Sequence, residues 1–280
     1  MIGQFVITLR EGFEAILLVA IVIAYLKRTG RVGDLKYAYY GALTALVAGF
    51  VIASGVIAFY GGLEGNQKEL FEGIASYLAV GVLTYMILWM AGRDIKGEIE
   101  TKTSQRFGWG IALVTFIFVV REVIETVLFL TPFVAQNVTA TAAGASAGIA
   151  VSLVLSLAIL RFEYKLSLRK FFYITSILLA FIASGLVGYG THELIEVAES
   201  KGYESWLFDK AYDLGIDRSN PFHNNGIIGG IFSVLIGYSV SMEYLRVILQ
   251  FGYLAVTLGL IHLSYRAKVV RAQDRRSSPV

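Results

Sequence analysis

Long apolar runs separated by short polar segments dominate the chain. Seven of them approach the about 20 predominantly apolar residues that a spanning helix needs: 3–26, 38–60, 71–91, 109–132, 142–160, 171–191 and 243–265. They are too long for strands and lack strict alternation. A shorter run, 226–239 (GIIGGIFSVLIGYS), predicts a re-entrant or interfacial helix leading into the last span. The pattern predicts an all-α polytopic membrane protein, with seven transmembrane helices in a single domain over 1–280. The first run carries Arg10, Glu11 and Glu14 and has no basic stretch before it, so it reads as a retained helix rather than a signal peptide.

Composition narrows the function classes. Apolar residues make up 56% and charged residues only 16%, against about a quarter charged in soluble domains. An ordinary soluble enzyme is excluded, as is a disordered or coiled-coil chain. Cysteine is absent, which removes thiolate metal sites and thiol nucleophiles. Neither H-E-x-x-H nor G-x-S-x-G occurs. The expectation is a non-enzyme without an organic cofactor or a nucleic-acid partner, in contact with membrane lipid.

The net charge of +3 hides an asymmetry. The segments after spans 1, 3 and 5, together with the tail 266–280, hold 17 Lys and Arg, whereas the opposite side holds four. By the positive-inside rule the N-terminus lies outside and the basic tail is cytoplasmic. The outer face, including the polar loop 194–225, carries about −6 and the inner face about +11, so cations are drawn to the outer mouth.

Two spans carry charges inside them. Span 1 contains Arg10-Glu11-Gly12-Phe13-Glu14 and span 4 contains Arg121-Glu122-Val123-Ile124-Glu125, an R-E-x-x-E repeat offset by 111 residues. An offset of three spans inverts the second copy in the membrane. Spans 1–3 (repeat 1–92) and 4–6 (repeat 109–199) therefore read as inverted repeats, followed by a seventh span. At about 1.5 Å per residue, both motifs lie roughly 10–17 Å below the outer surface. Glu11/Glu14 and Glu122/Glu125 are i,i+3 neighbours, so each pair can hold one cation, with Arg10 and Arg121 as carboxylate partners or counter-charges. Each charge in mid-membrane costs about 2.5–3.5 kcal/mol, too much over six groups for packing alone. Four carboxylates suit a hard cation.

These motifs in spans 1 and 4 of a seven-span chain resemble those of the oxidase-dependent iron permease family. Glu72 with Thr84-Tyr85-Met86-Ile87-Leu88-Trp89-Met90, and Leu235-Ile236-Gly237-Tyr238 followed by Glu243, add to the resemblance. It implies a multi-pass permease of the cytoplasmic or plasma membrane that imports iron, as Fe3+ or Fe2+. It also implies Glu11, Glu14, Glu122 and Glu125 as iron ligands. Family members work with a ferroxidase or an extracytoplasmic iron-donor protein, here expected to be separate. The long acidic tail of fungal members is replaced by the basic Arg266–Arg276.

Further candidates lie near the outer face. Glu69 and Glu72 open span 3, and His192, Glu193 and Glu196 close span 6, which suggests an outer collecting site above the motif glutamates. Glu243 before span 7 is a candidate additional ligand. Gly41, Ala45 and Gly49, and Gly144 and Gly148, are small-residue faces for helix packing or homo-oligomer contacts. Gly185, Gly188 and Gly190 suggest a break or hinge in span 6. The alternatives are a carrier of another divalent metal, a proton-coupled solute carrier using the same glutamates, or a non-transporting receptor.

Overall fold

The computed structural model describes residues 2–90, 95–162, 168–217, 220–223, 228–229, 232–233 and 237–277. Among them are eight α-helices: α1 (Ile2–Arg28), α2 (Leu35–Gly61), α3 (Asn66–Met90), α4 (Ile95–Ser104), α5 (Trp109–Gln136), α6 (Val138–Phe162), α7 (Leu168–Ser200) and α8 (Tyr244–Ser277). Two short antiparallel strands, β1 (Lys210–Asp213) and β2 (Ser241–Glu243), pair with Lys210 opposite Glu243 and Asp213 opposite Ser241. Five helical segments are long and apolar enough to cross a membrane: Val32–Gly61, Asn66–Trp89, Val138–Ala158, Phe171–Ser200 and Tyr244–Ser264. Helices α1 and α5 have the length, at 27 and 28 residues, but carry the charged motifs.

The contacts divide the chain into two compact units, and each draws helices from both sequence halves. One comprises Gln4–Gly62 and Asp94–Leu166; the other comprises Met1–Gly3, Leu63–Arg93 and Ser167–Val280. In the first, small residues let backbones close on one another. A Cβ on Gly41 would lie 2.2 Å from the Ala112 carbonyl oxygen, and one on Gly49 1.9 Å from Val123 Cγ1, so α2 seats directly on α5. A Cβ on Gly148 would lie 2.0 Å from Thr8 Oγ1, so α6 seats on α1. The Thr8 hydroxyl donates across to the Ala145 carbonyl at 3.1 Å. Such small-residue seams are the usual way membrane helices approach. Helix α1 ends where Gly30, at φ 73°, lets the Arg31 N–H reach back to the Leu26 carbonyl at 2.8 Å. Asn137 breaks α5 from α6, and its Oδ1 accepts the Ala140 N–H at 2.8 Å as an N-cap.

In the second unit α3 and α7 pack face to face, with α8 beside α7 and the strand pair beside α8. Two expectations change here. The break at Gly185–Gly190 does not occur: α7 runs unbroken to Ser200. Gly188 is instead a seat for α8, since its Cβ would lie 2.0 Å from Gln250 Oε1. The polar loop expected from residue 194 starts later, because Leu194 packs onto Gly73 and Ile195 and Val197 are buried, which prolongs the helix. Strand β1 then occupies part of that loop. Asp213 closes it by accepting the Gly215 N–H and Lys210 Nζ, which hold its carboxyl below the usual range. The fold is all-α as expected, with this one short strand pair added. The expected helix over 226–239 falls largely outside the described residues, as do Leu235 and Ile236. Of those described, 228–229 and 232–233 are helical and 237–239 are not. Helix α8 continues through the basic tail to Ser277.

Candidate metal centre

Both R-E-x-x-E motifs fall in the same compact unit, one on α1 and one on α5. Their helical spacing places the i and i+4 residues on one face, and the structure shows what those faces do. Arg10 is fully buried. Its Nη1 lies 2.8 Å from Glu11 Oε1 and its Nη2 lies 3.1 Å from Glu14 Oε1. Arg121 is about a third exposed, and its Nε donates to Glu125 Oε1 at 2.7 Å.

The four motif carboxylates do not form one set. Glu11, Glu14 and Glu122 are buried, and each offers an oxygen such that all three lie within 4.8 Å of one another. Oxygen ligands about 2.0–2.6 Å from a shared hard cation span a similar width. Glu125 falls outside that distance and is engaged by Arg121. The Oε2 atoms of Glu11 and Glu122 are buried without a hydrogen-bond donor among the described residues. Buried acceptors without donors are costly, and a cation satisfies them. Among the described residues this is the one group of three or more His and acidic side chains so close together.

Residues 1–263 match the sequence model of the Iron permease FTR1 family. The chain belongs to that family. It is 65% identical to an uncharacterized protein of Archaeoglobus fulgidus over 98% of this chain and 99% of that one. It is 30% identical to the protein named Ferrous iron permease EfeU in Yersinia pestis, over 95% of both chains. It is 29% identical to the protein of the same name in Escherichia coli O157:H7, over 95% of this chain and 97% of that one. No solved structure matches. The iron permease family comprises permeases rather than enzymes, and with the apolar helices this makes the chain a membrane protein of iron transport.

The outer candidates all lie in the second unit, in two groups rather than one ligand sphere. The Tyr189 hydroxyl donates to Glu72 Oε2, and Glu193 is the charged neighbour of both. Glu72 and Glu193 are buried. In the second group His192 Nδ1 lies 2.9 Å from Glu243 Oε1, and Nε2 lies 3.4 Å from Glu196 Oε1. Arg246 adds a positive charge near Glu243 and Glu193. Glu69, half-buried, lies almost one turn before Glu72 on α3. Sequence reasoning misses Tyr189, although a signal exists: Tyr189 precedes Glu193 by one turn.

Proposed function

We propose that the chain imports iron across the cell membrane, and that Glu11, Glu14 and Glu122 bind the ion in transit. The convergence of three buried carboxylates from two helices carries this reading. The charges favour a divalent ion. Arg121 and Glu125 balance each other, which leaves one arginine against three carboxylates. A divalent cation neutralises that remainder, whereas a trivalent one overshoots it. The two EfeU relatives are named for ferrous iron, and ferrous iron is our proposed cargo. Glu125, outside the triad and partnered by the more exposed arginine, hands the ion to it. Glu72, Glu69, His192, Glu193 and Glu196, with Glu243, collect cations at the outer face, aided by a separate iron-donor protein.

The proposed topology has seven spans (α1, α2, α3, α5, α6, α7 and α8), an outside N-terminus and inverted repeats within a single permease domain. One register of contacts supports the repeats. Gly12 on α1 faces Ser152 on α6, and Val123 on α5 faces Gly49 on α2. Val123 follows Gly12 by the motif offset of 111, and Ser152 follows Gly49 by 103, so the two contacts exchange under the inversion. Ferrous-iron binding and uptake by Glu14→Gln and Glu122→Gln test the site. Both variants should lose binding by at least about tenfold, as loss of one of three charged ligands implies, while the protein stays in the membrane. Wild-type binding in both would contradict it.

A further inference from the structure

The carboxylate triad has an apolar continuation toward the cytoplasmic ends of its two helices. On α1 the face of Glu14 continues through Leu18, Val22 and Leu26; on α5 the face of Glu122 continues through Phe118 and Ile111. These five aliphatic and aromatic side chains form one buried cluster with Ala38, and its remaining member is Ile99 of α4. Helix α4 is otherwise unlike its surroundings. Its ten residues, IKGEIETKTS, are polar except for Ile95 and Ile99, yet Ile99 is only 1% exposed. A helix this short has little stability of its own in water. Contacts hold it in place: Arg28 with Glu100 at 2.9 Å, the Arg31 guanidinium donating to the Thr103 carbonyl at 3.5 Å, and Lys102 Nζ 5.4 Å from the Phe118 ring centre. Arg31 also donates to the Arg106 carbonyl and lies 4.1 Å from the Phe107 ring centre. Most of these are partly exposed polar contacts, individually weak and quickly exchanged.

Thr115 lies between Phe118 and Ile111 in sequence and is 1% exposed. Its Oγ1 has no hydrogen-bond partner among the described residues. Thr126 and Thr131 on the same helix instead donate to the carbonyl one turn back. A buried hydroxyl kept from this local bond, along the route from the triad to the cytoplasmic end, is available to a passing hydrated cation.

We propose that α4 is the inner gate of the permeation path: Ile99 plugs the cytoplasmic end of the apolar cluster below the triad, and Arg28 and Arg31 latch the helix shut. With the plug seated, the triad communicates only with the outer side. When α4 swings away, Thr115 becomes the first polar contact for the departing ion. The gate rests on the permease reading for what passes through it, but its test needs no iron.

The chain has no cysteine, so Thr115→Cys supplies a single reporter thiol. Its reaction with a membrane-impermeant maleimide is timed in inside-out and right-side-out vesicles. In the otherwise unchanged protein the thiol should react slowly from both sides. Adding Ile99→Ala, or Arg28→Ala with Arg31→Ala, should raise the rate from the cytoplasmic side at least tenfold and leave the outer side unchanged. Val114→Cys, beside the same cluster, serves as a second reporter, and Thr101→Cys on exposed α4 should react quickly throughout. The arginine pair lies outside the buried cluster, so it tests the latch even where Ile99→Ala fails to fold. Unchanged slow labelling with the latch removed would overturn the gate, as would a rise that is equal from both sides. Loss of iron uptake with these labelling rates intact would count against the permease reading alone.

Discussion

Arg10 and Arg121 occupy the same place in two copies of one motif, yet they are held differently. Arg10 is sealed between two carboxylates of its own helix, whereas Arg121 keeps about a third of its surface and pairs with Glu125. Removing one partner from a buried ionic group leaves uncompensated charge and costs about 3–5 kcal/mol, and less where the group is only partly buried. Arg10→Leu should therefore destabilise the detergent-solubilised protein by about 3–5 kcal/mol, and Arg121→Leu by less. Thermal unfolding of the two variants side by side checks this; equal losses would refute the asymmetry. Function should divide along the same line. Glu125→Gln should slow uptake while ferrous iron still binds, since Glu125 lies outside the triad, and equilibrium binding to that variant is the check. Helical spacing alone puts all four glutamates on candidate faces. It does not tell which three meet, because that depends on how α1 and α5 are rotated about their axes, and spacing within each helix is silent on rotation between them.

At the scale of the element, the seams between helices decide what can change. Gly49 faces Val123 so closely that Gly49→Val must separate α2 from α5, and overpacking of this kind costs about 1–3 kcal/mol or more. Gly55 lies on the same helix, and a Cβ added there would meet nothing within 4 Å. Gly55→Ala should therefore cause no loss and up to about 1 kcal/mol of gain. The yield of folded protein and the midpoint of thermal unfolding for the two variants measure the contrast. The long helices are legible in the sequence because a run of about 20 apolar residues admits few other structures in a bilayer. The unbroken course of α7 is not. Its glycines read as a hinge, but Gln250 and Ser76 on neighbouring helices fill the space beside Gly188 and Gly190, and that filling is a tertiary fact. Helix α4 escapes for the opposite reason: two isoleucines in ten residues leave no apolar run to see, and the helix is defined by what Ile99 inserts into. Strands β1 and β2, of four and three residues, are too short for a periodic signal and exist by pairing across some 30 positions.

At the scale of the whole molecule, low charge content makes the charged positions informative. With 16% of residues charged, the side on which each lysine and arginine falls predicts the topology, and the few that lie within spans mark the site. Single cysteines at Glu64, exposed between α2 and α3, and at Thr101 in this cysteine-free chain should react with impermeant maleimide from outside and from the cytoplasm, respectively; reaction of both from one side would refute the seven-span arrangement. The triad's remaining negative charge predicts selectivity for divalent over monovalent and trivalent cations. The most direct measurement is ferrous-iron influx into proteoliposomes that enclose a chelating dye, with wild-type protein compared with Glu14→Gln and Glu122→Gln at equal reconstitution. Influx with the wild type and a loss of at least about tenfold in both variants is the predicted result. Undiminished influx in the variants, or none with the wild type, would contradict a carboxylate-bound iron ion in transit.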